Sequence, residues 1–266
     1  MGLRGVLGLG RAEEAADDYA EEPSKARRRL RLALAFAKVM LIVLVVLAAG
    51  AGLLFAVTPS AGQAATLVQR QAALHHISYP GAAVPRNFAQ ALVATEDHRF
   101  DTDPGVDPLA IARVIGAKIT GKQDQGGSTI AQQLAKMLYT PGSSGFATEV
   151  EQVMLAMKLN MTYTRPQILQ MYSEVAYYGH GYYGLQQASC GYFGHPPADL
   201  TLVQAAMLAG AVNAPTYDDP LVYPAQARAR LIHVLNRMQA VGYLTKQQET
   251  DALNTPLRLS ASRGCH

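Results

Sequence analysis

The sequence holds only two cysteines, Cys190 and Cys265, too few for a scaffold built on disulfides; in an exported domain the pair permits one bridge and requires none. Cys190 lies in a helical-looking stretch and reads as a small buried hydrophobe before a reactive thiol. Charge is also sparse: 16% of residues are charged against 49% hydrophobic, so there is ample surface for a core and intrinsic disorder is excluded. Neither sign dominates, with 23 Lys plus Arg facing 20 Asp plus Glu, and no basic face offers itself to nucleic acid. With 23 glycines in 266 residues a collagen-like repeat is excluded too. The length fits one medium domain with an appendage.

What the sequence does have is a long apolar run. Residues 39–57, VMLIVLVVLAAGAGLLFAV, contain no charge, and at about 1.5 Å per helical residue they span roughly 30 Å of hydrocarbon. The run reads as one transmembrane signal anchor. Its rivals are a buried core helix and a cleavable signal peptide, for which residues 61–64 supply a loosely suitable small-residue site; the run exceeds the usual signal core and follows a long tail. In residues 1–38 acids come first, and a cluster of Lys25, Arg27, Arg28, Arg29, Arg31 and Lys38 abuts the span. The positive-inside rule then holds residues 1–38 in the cytoplasm and puts everything after about Thr58 outside.

Residues 58–84 read as a linker with room for a short helix, its His75 and His76 solvated. Beyond Pro85 the spacing predicts helices and no alternating strands. Phe88, Ala91, Leu92, Thr95, Glu96 and Arg99 fall on a helical period, with Glu96 about 40° from Leu92 around the axis. A carboxylate beside the packing stripe is partly desolvated, which raises its pKa and suits proton transfer; the plainer reading is a boundary glutamate paired with Arg99. In residues 125–140, QGGSTIAQQLAKMLYT, Gly126 and Gly127 allow close approach to a ligand and Thr129 with Gln132 has the form of a capping box. The helix start would favour an anion, with Gln132, Gln133 and Lys136 lining the next turns; a capped surface helix is the alternative. Val150, Val153, Met154, Met157 and Met161 form a stripe read as core, with Glu151 at its margin. Tyr172, Tyr177, Tyr178, Tyr182, Tyr183 and Tyr192 crowd a glycine-rich stretch and read mostly as packing around tight turns. Residues 200–210 and 224–242 are further amphipathic helices.

These segments, in this order over about residues 84–250, resemble the peptidoglycan glycosyltransferase family, the domain of monofunctional transglycosylases and class A penicillin-binding proteins. The first family motif is matched by Glu96, Asp97, Phe100 and Gly105, with Asp103 where His is usual. The second is matched by Gly126 to Gln133 with Lys136. Of the third, Arg-Lys-x-x-Glu, Glu151 remains, and Ala147 and Thr148 stand at the basic positions. The fourth resembles residues 177–194, and the fifth carries Gln204 in place of a usual glutamate.

The resemblance implies a mainly α, lysozyme-like glycosyltransferase domain over residues 85–250 with a small membrane-proximal lobe, preceded by the transmembrane helix and followed by a tail at 251–266. It implies a substrate, lipid II with the growing glycan strand, joined in β-1,4 linkage at the outer face of the cytoplasmic membrane with release of undecaprenyl diphosphate. The implied catalytic residues are Glu96 as general base and Glu151 as an orienting or metal-assisted group. The implied substrate-binding residues are Asp97, Phe100, Gly127, Ser128, Thr129, Gln132, Gln133 and Lys136. Mg²⁺ or Mn²⁺ is a family cofactor that this sequence does not demand, and cell-wall partners such as penicillin-binding, divisome or elongation proteins fit the setting. With no transpeptidase signature before His266, the chain reads as monofunctional. Two rivals remain at this stage: an inactive lipid II-binding scaffold, given the missing basic pair, and a glycan hydrolase, which has no use for a diphosphate cradle.

Overall fold

The computed structural model describes residues 9–103, 128–260 and 265. It divides into two compact units, residues 1–57 and 58–266. The first is the helix α1, Leu9–Val57. It extends the expected span backward through the basic cluster. Its most apolar 18-residue window has a mean hydropathy of 2.9 and none of it is buried, so α1 is long and apolar enough to cross a membrane.

The second unit is helical. A 3₁₀ turn η1 (Ala61–Gln63) is followed by α2 (Ala64–Leu74), α3 (Arg86–Glu96), α4 (Ile130–Tyr139), α5 (Phe146–Thr162), α6 (Arg165–Val175), α7 (Gly184–Phe193), a second 3₁₀ turn η2 (Pro197–Asp199), α8 (Leu202–Ala211), α9 (Pro224–Ala240) and α10 (Lys246–Asn254). Among the described residues the only β pairing is an isolated bridge between Tyr177 and Tyr183. The expectation of a mainly α domain is met.

One local signal starts several of these helices. At Thr129, Thr201 and Thr245 the hydroxyl accepts the amide of a glutamine three residues on, and the glutamine carboxamide accepts the threonine amide in return. Each such T-x-x-Q box satisfies two orphan donors and stabilises its helix by about 1 kcal/mol. In α8 the residue at the departed position, Gln204, caps its own helix through its carboxamide.

Two groups of helices form the core. α8 is buried from Val203 to Ala211 and packs on α3 and α9; its alanines bring neighbouring backbones close. α4 packs on α5 and α6, and α6 on α2. The core face of α5 is Leu155, Ala156 and Leu159, which corrects the expected stripe of Val150, Val153, Met154, Met157 and Met161. Met161 is 76% exposed. This helix is apolar on more than one side, so periodicity alone did not choose the face that meets α4.

The stretch read as a linker is part of the fold. Ala61, Ala64, Val68 and Ala72 are buried. Beyond α2 the chain is pinned down: His75 stacks on Tyr183 with centroids 3.6 Å apart, and Glu174 of α6 accepts the Gly81 amide at 2.8 Å. His75 is therefore a packed residue and not a solvated one. The C-terminal segment is tied likewise, by the Ser260 amide donating to the Tyr192 carbonyl at 2.7 Å and by a Cys190–Cys265 disulfide. Cys190 is thus a cross-link, not the free buried hydrophobe expected.

Candidate active site

The site is built where the end of α3 meets α4 and α9. α3 stops at Glu96 because Asp97 leaves helical space, with φ −158° and ψ 70°. Arg99 consequently falls on the following turn and is not one helical turn above Glu96. The cation that reaches Glu96 comes from α9: Arg230 Nη2 donates to Glu96 Oε1 at 2.8 Å. Gln133 Nε2 of α4 donates to the other oxygen, Oε2, at 3.1 Å. The Glu96 side chain is 7% exposed and that of Arg230 19%. The burial that sequence reasoning anticipated for Glu96 is present, but a guanidinium matches it.

Each partner is itself held. Arg230 Nε donates to the Gly210 carbonyl at 3.1 Å, and a Cβ at Gly210 would lie 2.9 Å from Arg230 Cγ, so only a glycine on α8 leaves room. Tyr172 of α6 donates its hydroxyl to Gln133 Oε1 at 2.8 Å. Burial, then the Glu96 charge, pushes the Tyr172 phenol far up, so it stays protonated and turns the Gln133 NH₂ toward Glu96. His233, a turn along α9 from Arg230, is lowered by desolvation first and then by Arg230 and Arg237, with Glu96 opposing; its imidazole is neutral at pH 7.

The helix start expected to cradle an anion is already occupied. Asp97 Oδ2 accepts the Ile130 amide at 3.0 Å, Thr129 Oγ1 accepts the Gln132 amide at 3.2 Å and Gln132 Oε1 accepts the Thr129 amide at 2.8 Å. The carboxyl group at the N-terminus of α4 is thus the chain's own Asp97. Asp97, Thr129 and Gln132, expected to touch substrate, have these polar atoms engaged in building the junction. Phe100, expected in the same role, is buried at 1% exposure beneath the Arg165 guanidinium, 5.1 Å above its ring. Ser128 and Lys136 are exposed, and Gln133 is half-buried. Lys136 follows Gln133 by one turn, about 60° away around α4. Gly127, like Gly105 and Gly126, lies outside the described residues.

Glu151 is half-buried on α5, alongside α4. No other base fills the place of Ala147 and Thr148 from this helix: Lys158 donates to the Thr58 carbonyl at 2.6 Å. Among the described residues no three His, Cys, Asp or Glu side chains gather to hold a metal ion. A lone Glu151, with Asp97 engaged elsewhere, does not fit the multi-oxygen shell of Mg²⁺ or Mn²⁺ among the described residues.

The residues that sequence reasoning missed are Arg230, Tyr172 and Gly210. Their contact with Glu96 or its partners spans large sequence separations, and no short spacing announces it. The glycine-rich stretch has a clearer signal. Gly179 has φ +89°, and a Cβ there would lie 2.3 Å from the Pro215 carbonyl oxygen, which locks the turn before α7 against the loop after α8.

Comparison with known proteins shows the family. The transglycosylase family model matches residues 63–239. A protein of Cupriavidus necator named as a transglycosylase is 34% identical over 180 residues, 68% of this chain and 78% of that one. Penicillin-binding protein 1A of Aquifex aeolicus is 38% identical over 175 residues, 65% of this chain and 24% of that protein, so the chain spans only about a quarter of that relative. Among solved structures, penicillin-binding protein 1A of Haemophilus influenzae matches at 21% identity over 66% of this chain and 17% of that one, with a TM-score of 0.40, too low to carry an argument. The match over residues 63–239, together with the relative aligned over most of its own length, establishes that the chain belongs to the transglycosylase family.

Proposed function

We propose that the protein is a membrane-anchored peptidoglycan glycosyltransferase that polymerises lipid II into β-1,4-linked glycan strands and releases undecaprenyl diphosphate. The observation that carries the reading is Glu96, a buried carboxylate held at 2.8 and 3.1 Å by Arg230 and Gln133 in a chain of this family. A carboxylate offers about four acceptor positions, so two remain for an acceptor hydroxyl.

In this reading the acceptor hydroxyl oxygen bonds to the anomeric carbon of the lipid-linked strand as the bond from that carbon to the diphosphate breaks. The electron pair leaves on the diphosphate, and the hydroxyl proton passes to Glu96. Attack opposite the leaving group turns an α linkage into a β one. Arg230 and Gln133 orient the Glu96 carboxyl group. Lys136 offsets charge on the diphosphate, a charge-assisted contact of about 1.5–3 kcal/mol or roughly 10- to 100-fold in rate. Glu151 orients the site from α5. α1 supplies the tether that a lipid-tailed substrate demands. The Cys190–Cys265 bridge supports an extracytoplasmic second unit, since disulfides persist in oxidising compartments, and the basic cluster before the span supports the same orientation. Penicillin-binding, divisome or elongation proteins are the matching class of partner.

The test is polymerisation of fluorescent lipid II by detergent-solubilised full-length protein, with and without Mg²⁺ or Mn²⁺, beside Glu96→Gln. Polymer from the wild type alone, with lipid II still bound by the variant, is the expected result; polymer from Glu96→Gln refutes the general base. Ala147 and Thr148, where the family carries cations, favour one second reading, a lipid II-binding scaffold. Binding without polymer in every condition selects it.

A further inference from the structure

Thr58 follows Val57, the last residue of α1, directly. Carbonyls of an irregular segment need donors, and in a loose connector water supplies them. Along residues 58–62 side chains of the outer unit supply them in order. From α5, Lys158 Nζ donates to the Thr58 carbonyl at 2.6 Å and to the Pro59 carbonyl at 3.3 Å. At the end of α4, the Tyr139 hydroxyl lies 3.1 Å from the Ser60 carbonyl and 3.4 Å from that of Ala61, and donates to one at a time. Tyr163, which closes α5, donates its hydroxyl to the Gly62 carbonyl at 3.3 Å. Ala61 and Ala64 are buried, so the segment is packed as well as bonded. Burial first, and Tyr163 second, push the Tyr139 phenol up to about 12, which keeps it a donor.

α4 joins this segment to the candidate base. Six residues before Tyr139, Gln133 donates to Glu96, about 9 Å away along the helix axis, and Lys136 lies midway. The helix is itself fixed on both sides. Gln152 Nε2 of α5 donates to Thr140 Oγ1 at 2.9 Å, and Gln71 Nε2 of α2 donates to the Met137 carbonyl at 2.8 Å.

We propose that Lys158, Tyr139 and Tyr163 form a clasp that fixes residues 58–62 to α4 and α5. The point where the chain leaves the bilayer is thereby held at a set distance from Glu96 and Lys136, and the three are positioning residues for a bilayer-bound substrate. The catalytic consequence rests on the reading of the protein as a membrane-anchored glycosyltransferase; the clasp does not. A short-chain substrate free in solution reaches Glu96 wherever the exit point lies. A substrate whose lipid tail stays in the bilayer reaches only a site at its own height.

The experiment compares wild type, Lys158→Met, Lys158→Arg and the double variant Tyr139→Phe/Tyr163→Phe. Each full-length protein is assayed on lipid II in vesicles of phosphatidylcholine and phosphatidylglycerol, and on a short-chain lipid II analogue in detergent. Lys158→Met and the tyrosine double variant should each slow polymerisation in vesicles by roughly 10- to 100-fold, and change the short-chain rate by less than about twofold. Lys158→Arg, which keeps a donor, should restore the vesicle rate. Hydrogen exchange of segment 58–68 in the same vesicles should be slow in the wild type and about fivefold faster for each hydrogen bond lost. Equal slowing on both substrates marks a merely structural role and overturns the proposal. So does an unchanged vesicle rate, or wild-type exchange as fast as that of an unfolded chain. Where a variant fails to fold, the wild-type exchange and a flexible Gly-Ser insertion between Val57 and Thr58 decide, since the insertion leaves all three side chains in place and should give the same vesicle-selective loss. If no protein makes polymer from either substrate, the glycosyltransferase reading fails while exchange still decides for or against the clasp.

Discussion

Replacing Arg230 by Ala removes the guanidinium bonded to Glu96 and leaves a carboxylate 7% exposed without it. Breaking a buried ion pair from one side costs about 3–5 kcal/mol, and the 19% exposure of Arg230 places this case at the lower end, about 3 kcal/mol. For a unit of this size each kcal/mol lowers Tm by about 2–4 °C, so a fall of roughly 6–12 °C is expected. Polymerisation should slow by about 100-fold, the usual consequence of misplacing a reacting group by an ångström. The control is the same substitution on Glu96→Gln. A neutral carboxamide tolerates loss of its cation, and Arg230→Ala there should cost only about 1 kcal/mol, a coupling of about 2 kcal/mol. Thermal unfolding of the four proteins by circular dichroism measures the cycle. Equal costs in the two backgrounds, or an Arg230→Ala enzyme with wild-type rate, refute the view that Arg230 holds the base.

Gly179→Ala adds a Cβ 2.3 Å from the Pro215 carbonyl at φ +89°; a loss of about 3 kcal/mol or more is expected, read as a lowered Tm, and a wild-type Tm denies the close approach. Cys190→Ser opens a bridge of sequence separation 75, worth up to about 4 kcal/mol by loop entropy. The same drop should follow reductant treatment of the wild type, and identical melting with and without reductant sinks the assignment. Lys136→Ala should lower kcat/KM by about 10- to 100-fold while leaving Tm within about 1 °C, since this exposed side chain does not pack; unchanged kinetics moves the diphosphate elsewhere.

The helices were readable before the structure wherever cap and period agreed. Thr129 with Gln132 marks the start of α4, and the helix expected at residues 200–210 is α8, though it is buried from Val203 to Ala211 where an amphipathic helix was expected. The period failed at the other end of α3. A helical pattern continues on paper to Arg99, but Asp97 is drawn out of helical space by the Ile130 amide of a helix that begins 33 residues later. It failed again on α5, where apolar residues lie on more than one side and only the arrival of α4 selects Leu155, Ala156 and Leu159. Residues 58–84 looked like a linker because they mix Gly, Pro, Gln and Ala, whereas a few small residues, Ala61, Ala64 and Ala72, bury the stretch by close packing.

By itself, the sequence determined the mainly α character, the one run able to cross a membrane, the polarity of charge around it, and Glu96 as the candidate carboxylate. The first three follow from local chemistry: rise per residue, side-chain period, caps and hydropathy; Glu96 was singled out by the resemblance of its motif to a family. Only the tertiary structure decided what surrounds Glu96. Arg230, 134 residues away, and Tyr172, 39 residues from the Gln133 it orients, are brought in by the packing of α9 on α3 and of α6 on α4. The charge state and aim of a buried carboxylate are set by the groups within about 3–4 Å of it, and in this chain those groups are neighbours in space that no spacing along the sequence joins.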